Sequence, residues 1–166
     1  LTGMIGTYLG GYLGDRMGKT DKRWYMGVPG IATIISVPFA VLFYTTGDPM
    51  LAIVLAIPGA ILGPMYLGPT FAMTQTLVPP AMRSTASAIL LFVLNLIGLG
   101  LGPVFAGFLS DTLKPEYGEE SIRYSLLILA VAGNIWSALH YYLASRTLRE
   151  DLVAKDQLVE TSPVID

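Results

Sequence analysis

The most informative group of side chains able to make a specific chemical contact lies between Gly11 and Lys19. This stretch reads Gly-Tyr-Leu-Gly-Asp-Arg-Met-Gly-Lys and follows an apolar segment. A carboxylate at a helix end, here that of Asp15, can bind the N-terminal amides of another helix or an Arg side chain. Gly11 and Gly14 would let a second helix approach closely, and Gly18 is expected to permit a tight turn. These residue types favour a reversible contact between helices.

Enzymatic chemistry has little to build on in this sequence. The chain has no Cys and one His, His140, and spacings typical of metal ligands or of phosphate-binding Gly loops are missing from its sequence. A membrane enzyme would need paired acids, a His cluster or a nucleophile with a base. We therefore predict that the protein is not an enzyme and needs neither a metal nor a cofactor. His140 could relay protons, but its neighbours Tyr141 and Tyr142 favour an interfacial anchor.

The composition is that of a membrane protein. Of the 166 residues, 13% are charged, about half the share of roughly 25% found in soluble domains. The net charge of -2 and the few basic residues argue against a nucleic-acid partner. Uncharged windows run from 24 to 47, 49 to 82, 84 to 110 and 124 to 145. Each is at least the roughly 20 residues that cross a bilayer as a helix.

These windows predict an all-α integral membrane bundle over 1–146, followed by a cytoplasmic tail over 147–166. Residues 147–158 are expected to form a short amphipathic helix or a frayed extension, and the remainder to be disordered. The predicted spans are a partial one over 1–14 and full ones over 25–46, 50–77, 84–109 and 124–145.

Two internal patterns concern helix packing. Gly6, Gly10 and Gly14 recur every four residues, which indicates a helix face that another backbone approaches closely. Three prolines fall within twelve residues of the span 50–77, at Pro58, Pro64 and Pro69, so this span should be the most distorted.

The basic residues predict the orientation. Eight of the ten Lys and Arg residues lie in segment 15–23, at Arg83, or from Arg146 onward, and the other two are Lys114 and Arg123. The positive-inside rule therefore places segment 15–23, Arg83 and the tail in the cytoplasm. The loop around Asp48 and the loop 111–123 should face outward.

The stretch from Gly11 to Lys19 resembles the signature loop of the major facilitator superfamily. The resemblance implies that the chain is the end of helix eight plus helices nine to twelve of a twelve-helix fold. In that family the loop latches the two half-bundles together at the cytoplasmic side in one conformation. The resemblance implies that the latch residues are Gly11, Asp15, Arg16, Gly18, Lys19 and Arg83. Arg83 is expected to meet the first copy of the loop, which belongs to the N-terminal half-bundle.

A narrower resemblance, to the spinster-like branch, rests on later residues. The run Val78-Pro79-Pro80-x-x-Arg83-Ser84-Thr85-Ala86 opens a helix that ends Gly107-Phe108-Leu109-Ser110-Asp111, and Asp21 to Trp24 fits as well. Spinster relatives carry lysophospholipids and sphingoid phosphates, so the resemblance implies a lipid-like anion as substrate.

Two helix faces are candidates for a substrate pathway. Tyr66, Thr70 and Met73 share one face with Gly59 and Gly63, which suits an amphipathic cavity or, equally, plain helix packing. Asn95 is the single amide of the span 84–109, and Phe92 lies one turn before it. A buried amide needs a partner, so Asn95 either faces a cavity or joins two helices.

The expected function is alternating-access secondary transport of an amphipathic organic solute. The expected partners are the lipid bilayer, the N-terminal half-bundle, the substrate and coupled protons, in a bacterial inner membrane. The alternatives are a transporter of the same fold for a small organic anion, sugar or drug, and a membrane scaffold that does not transport.

Overall fold

The protein is described from a computed structural model that covers residues 1–161, with side chains to Gln157. The regular elements of this part are all helical. The α-helices are α1 (Thr2–Gly18), α2 (Trp24–Thr45), α3 (Pro49–Leu62), α4 (Leu67–Thr76), α5 (Arg83–Leu94), α6 (Gly102–Tyr117) and α7 (Ser121–Thr161). Short 3₁₀-helices cover Gly63–Tyr66, Pro80–Met82 and Gly118–Glu120, and a π-helix covers Asn95–Leu101.

Three helical stretches of the described chain are long and apolar enough to cross a membrane: Trp24–Thr45, Pro49–Thr76 and Pro80–Gln157. The third has 78 residues, more than twice the length of one crossing. It reverses at Gly118, where φ is 54°. The Ser125 hydroxyl donates a hydrogen bond of 2.7 Å to the carbonyl oxygen of Ala106, and this bond joins α6 to α7. The predicted all-α membrane fold is confirmed.

The distortion predicted for 50–77 is found as the 3₁₀-helix Gly63–Tyr66 between α3 and α4. Proline has no N–H to donate, so Pro64 and Pro69 remove two helical hydrogen bonds around this point. The start of α3 is well capped, because Pro49 follows Asp48 and the Asp48 carboxylate accepts from the amide of Met50 at 2.9 Å.

The glycine face of α1 packs as the sequence predicts. Gly6, Gly10 and Gly14 are buried. A Cβ on Gly6 or Gly10 would collide with the backbone of Ile61 or Met65. The residue numbers of the partners increase along both helices, from Gly6 and Ile61 to Gly10 and Met65. Helix α1 therefore runs parallel to α3 and α4.

Helix α2 lies at the centre of the bundle, between α1, α3 and α7. Its residues Val28 and Ala32 form one buried cluster with Met65, and Met26 forms another with Met73 and Leu148. At the far end the Arg123 guanidinium donates to the carbonyl oxygens of Tyr44 and Thr46, and so caps α2.

The connections between the helices fall at two ends of the bundle. The basic end holds the connection 19–23, the turn 77–82 and the last part of α7. The acidic end holds the turn 46–48 and the turn 118–120. The two groups of segments that the charge pattern separates thus lie at opposite ends.

Residues 147–161 continue α7 without a break. The predicted disorder beyond 158 is therefore wrong for 159–161, and for 162–166 it lies outside the described residues. With 41 residues α7 is about 60 Å long, roughly twice the hydrocarbon thickness, so its last part extends beyond the apolar segment.

Candidate functional site

The signature segment (residues 11–19) forms the last turns of α1 and opens the connection to α2. Asp15 is exposed there, and its carboxylate accepts a hydrogen bond from the hydroxyl of Tyr25 at 3.0 Å. Tyr25 stands at the start of α2, so the pair holds the two helices together at the basic end. One side of the Asp15 carboxylate is thus held within this chain, while the residue stays open to a further partner.

Gly18 lies at a turn and is also needed for packing. It is the last residue of α1, and the amide of Thr20 donates to the carbonyl oxygen of Met17 at 3.0 Å, so the chain turns here without a positive φ at Gly18. A Cβ on Gly18 would collide with the ring of Tyr25, and one on Gly14 would lie 3.6 Å from the same ring. Gly18 therefore makes the room in which the Tyr25 ring lies beside α1, whereas the tightest neighbour of Gly14 is Pro69, at 3.1 Å.

Gly11 differs from its neighbours. A Cβ built on it meets nothing within 4 Å, whereas one on Gly68 would lie 3.1 Å from the Gly11 Cα. Within this chain the close approach to α1 is made through Gly10, Gly14 and the backbone of Gly11, and the Cβ direction of Gly11 is open.

The cations of the predicted latch are exposed at the basic end. Arg16 donates to the hydroxyl of Tyr12 at 2.9 Å, one turn back on α1. Lys19 and Arg83 have no hydrogen bond or ion pair to another described side chain. Arg83 begins α5, so it stands beside the open N-terminal amides of that helix. These groups are free to contact another body.

Asp21 makes a second connection at the basic end. Its carboxylate accepts from the amide of Arg23 at 2.9 Å and pairs with Arg149 of α7 at 2.8 Å. The hydrogen bond from the Arg23 amide lowers the pKa of Asp21 below its ordinary value, and Arg149 acts in the same direction.

Part of the predicted pathway face lies inside the bundle. Met73 is 5% exposed and packs against Met26 and Leu148, so within the described chain it belongs to the helix packing and not to an open surface. The hydroxyls of Thr70 and Tyr141 are 3.0 Å apart, which also turns Thr70 toward α7. Helix packing, the alternative for this face, accounts for both residues because α2 and α7 cover it.

The same face continues into a cavity of about 280 Å³ between α2, α3 and α7, to which Gly59 and Gly63 contribute. Tyr66 is half-buried between the two regions. The cavity also contains a polar pair that sequence reasoning missed: the Ser36 hydroxyl donates to the Asn134 side-chain oxygen at 3.0 Å. Two lone polar residues in facing apolar helices were the available signal.

Phe92 and Asn95 lie on an open face. Phe92 is 65% exposed, and the amide of Asn95 donates to the carbonyl oxygen of Leu91 in its own helix at 2.7 Å. Within the described residues Asn95 therefore joins no second helix. It begins the π-helix, which the sequence did not predict, and which ends with the Gly102 amide donating to the carbonyl oxygen of Ile97. Pro103 has no backbone N–H to donate to the preceding turn of the helix. The change from α-helix to π-helix just before it fits this missing donor.

The exposed apolar side chains of this region form what we call the open face. It includes an aromatic series along α5 and α6, with large aliphatic side chains between. Its most exposed members are Ile89, Phe92, Ile97, Leu99, Val104, Phe105 and Phe108.

Comparison with known proteins agrees with this arrangement. The family model of the Major Facilitator Superfamily matches residues 1–165. An MFS-type efflux pump of Mycolicibacterium smegmatis is 34% identical over 151 residues, which are 91% of this chain and 35% of the pump. Protein spinster homolog 1 of Xenopus tropicalis is 29% identical over 145 residues, 81% of this chain and 27% of that protein.

A solved structure shows the same fold. It is the crystal structure of a bacterial homolog to the human lysosomal transporter spinster, in an inward-facing and occupied conformation. The TM-score is 0.72 at 27% identity, over 90% of this chain and 40% of that one. This chain spans about a third of the length of the curated relatives it matches. By its family match and its fold, the chain belongs to the Major Facilitator Superfamily and resembles its spinster-like members.

Proposed function

We propose that this chain is the C-terminal half-bundle of a secondary transporter that moves an amphipathic organic solute by alternating access. One observation carries the proposal. Asp15, Lys19 and Arg83 are exposed together at the basic end, next to an open apolar face that nothing in the described chain covers. A half-bundle that docks reversibly on a second half needs both features: free charges at one end and an uncovered face beside them.

The free charges suit a latch. The Asp15 carboxylate can accept from the amides or the Arg of an opposing helix, and the N-terminus of α5 with Arg83 can receive the corresponding acid of the other half. Contacts of exposed charges are individually weak, so they can form and break during a cycle. We place this end in the cytoplasm, since most of the basic residues lie there.

The open face supports an amphipathic substrate. Exposed aromatic and aliphatic side chains such as Phe92 can line the path of an alkyl chain, and the Asn95 side-chain oxygen remains free to accept a hydrogen bond. Tyr66 supplies a hydroxyl nearer the α3–α4 junction. The substrate we favour is a lysolipid or sphingoid-phosphate-like anion, and the similarity to spinster proteins supports that class.

A second substrate class has its own support. The relative at 34% identity is described as an MFS-type efflux pump. Export of a small drug-like molecule would use the same latch and the same open face, with a less extended ligand.

The partners follow from this reading: the bilayer, the N-terminal half-bundle, the solute and coupled protons. The cycle uses binding and rocking and makes or breaks no covalent bond, so we propose no enzymatic step. The location we propose is a bacterial inner membrane, with the tail in the cytoplasm.

The test is uptake by the full-length protein in proteoliposomes, with competition by lysolipids, hydrophobic cations, organic acids and sugars. Inhibition by lysolipids at concentrations where the others have no effect supports the lipid-like substrate. Inhibition by hydrophobic cations alone favours the drug-like alternative. No transport of any of these compounds by correctly folded protein would contradict the proposed function.

A further inference from the structure

The last part of α7, residues 146–157, lies against the basic end of the bundle. Leu148 is 2% exposed, although it follows the apolar stretch of α7, and it packs with Met26 of α2 and Met73 of α4. Leu152, one turn later, packs partly buried against the same cluster. This part of the helix is therefore seated on the bundle.

An ion pair fixes the seat. The guanidinium of Arg149 contacts both carboxylate oxygens of Asp21, at 2.8 Å and 3.1 Å, across 128 residues of sequence. This two-point geometry is more directional than a single contact with Lys would be. Asp21 is itself held by the Arg23 amide at the start of α2. The ion pair thus joins the end of the chain to the connection that follows the signature segment.

Tyr25 links this seat to Asp15. Its ring packs against the cluster of Met26, Met73 and Leu148, and its hydroxyl donates to the Asp15 carboxylate. The ring also occupies the space that a side chain on Gly18 would need. One packed layer therefore runs from the tail helix to the acid of the signature segment.

We propose that residues 146–157 are a positioning element for the latch: they hold the first turn of α2, and through Tyr25 they fix the direction in which Asp15 is presented to the other half-bundle. This inference rests on the latch role of Asp15 in the proposed function. Without the tail contact Asp15 keeps its charge but loses its fixed orientation, so the latch closes less often. The tail then biases the transport cycle without touching the substrate.

A charge swap tests this in the full-length protein. The chain has no Cys, so Ser84→Cys at the exposed start of α5 gives a reporter in this half, on a cysteine-free background. Asp21→Arg and Arg149→Asp, each alone, should raise the maleimide labelling rate of the reporter about two- to fivefold, the range that an exposed ion pair supports. The double variant restores the pair with reversed polarity and should return the rate to within twofold of the parent.

A packing variant supplies a second measurement. Leu148→Ala should raise labelling in the same direction, whereas Val153→Ala, which removes a 58% exposed side chain from the same helix, should not. Fluorescence-detected size-exclusion chromatography selects the variants that remain monodisperse, so a change in labelling reports the latch and not misfolding.

The outcomes distinguish the latch role of Asp15 from the positioning role of residues 146–157. Unchanged labelling in the single variants, or a double variant as perturbed as the product of its singles, would overturn the positioning role. If Asp15→Asn raises labelling while the tail variants do not, the latch stands and only the tail inference is wrong. If Asp15→Asn also has no effect, the latch and the inference both fall.

Discussion

The hydroxyl of Tyr25 lies 3.0 Å from a carboxylate oxygen of Asp15, and its ring lies where a side chain on Gly18 would otherwise be. Residues of the signature segment are therefore contacted by Tyr25, which lies outside the segment. Asp15 is not simply an exposed acid at a helix end, because its orientation depends on the first turn of α2.

Removing only that hydroxyl should weaken the latch. Tyr25→Phe keeps the ring and leaves Asp15 without its donor, so we expect the Ser84→Cys reporter to label about two- to fivefold faster, the effect of losing about 1 kcal/mol. Tyr8→Phe is the matched control, because Tyr8 lies on the same helix as Asp15, is 69% exposed and makes no hydrogen bond to a described residue. A Tyr25→Phe rate equal to that of the parent would show that the hydrogen bond does not orient Asp15.

The close approach of α1 predicts an intolerant glycine. A Cβ on Gly10 meets the backbone of Met65, which cannot rotate away, so Gly10→Ala should lower the free energy of unfolding by about 3 kcal/mol or more. Gly133→Ala, at an exposed helical site with nothing within 4 Å, should be neutral or mildly stabilising. Unfolding of the purified protein in mixed detergent micelles measures both. Equal stability of the two variants would contradict the packing described.

The pair between Ser36 and Asn134 predicts a measurable coupling inside the bundle. A double-mutant cycle with Ser36→Ala and Asn134→Ala should give a coupling energy of about 0.6 to 2 kcal/mol, as for other hydrogen bonds between membrane helices. Thr33→Ala provides the control cycle, since its hydroxyl donates to Gly30 in its own helix. A coupling of zero for the first cycle would mean that the pair adds nothing to the packing of α2 on α7.

The burial of Met73 and the exposure of Phe92 predict different effects on stability and on transport. Met73→Ala should destabilise the fold by about 2 kcal/mol or more, because Met73 is buried among three helices. Phe92→Ala, on the open face, should leave unfolding nearly unchanged and raise the concentration needed for half-maximal uptake. Thermal unfolding and uptake kinetics on the same preparations check this. If Met73→Ala instead changed uptake and Phe92→Ala changed stability, Met73 would be assigned to the pathway and Phe92 would not.

The all-helical membrane fold and the glycine face of α1 could be predicted because each depends on local sequence. A charge in lipid is costly wherever it occurs, so the uncharged windows alone locate the spans. Gly6, Gly10 and Gly14 share a face by helical period alone.

The role of Met73 could not be predicted in the same way. The helical period places Met73 on one face with Tyr66. The packing of α2 and α7 decides that this face is covered, and the sequence spacing does not show that packing. The packing role of Gly18 was missed for a related reason: the ring that requires it belongs to another helix. The π-helix after Asn95 and the seat of Leu148 likewise depend on contacts that sequence spacing does not contain.

The most direct test of the account is the accessibility of the basic end in Asp15→Asn. The substitution removes the charge and keeps the size, so we predict a shift toward the conformation open at this end, with faster maleimide labelling of Ser84→Cys in the full-length protein. Asp151→Asn, an exposed acid of the tail helix, should leave the rate unchanged. A labelling rate in Asp15→Asn equal to that of the parent would contradict the latch and the half-bundle mechanism built on it.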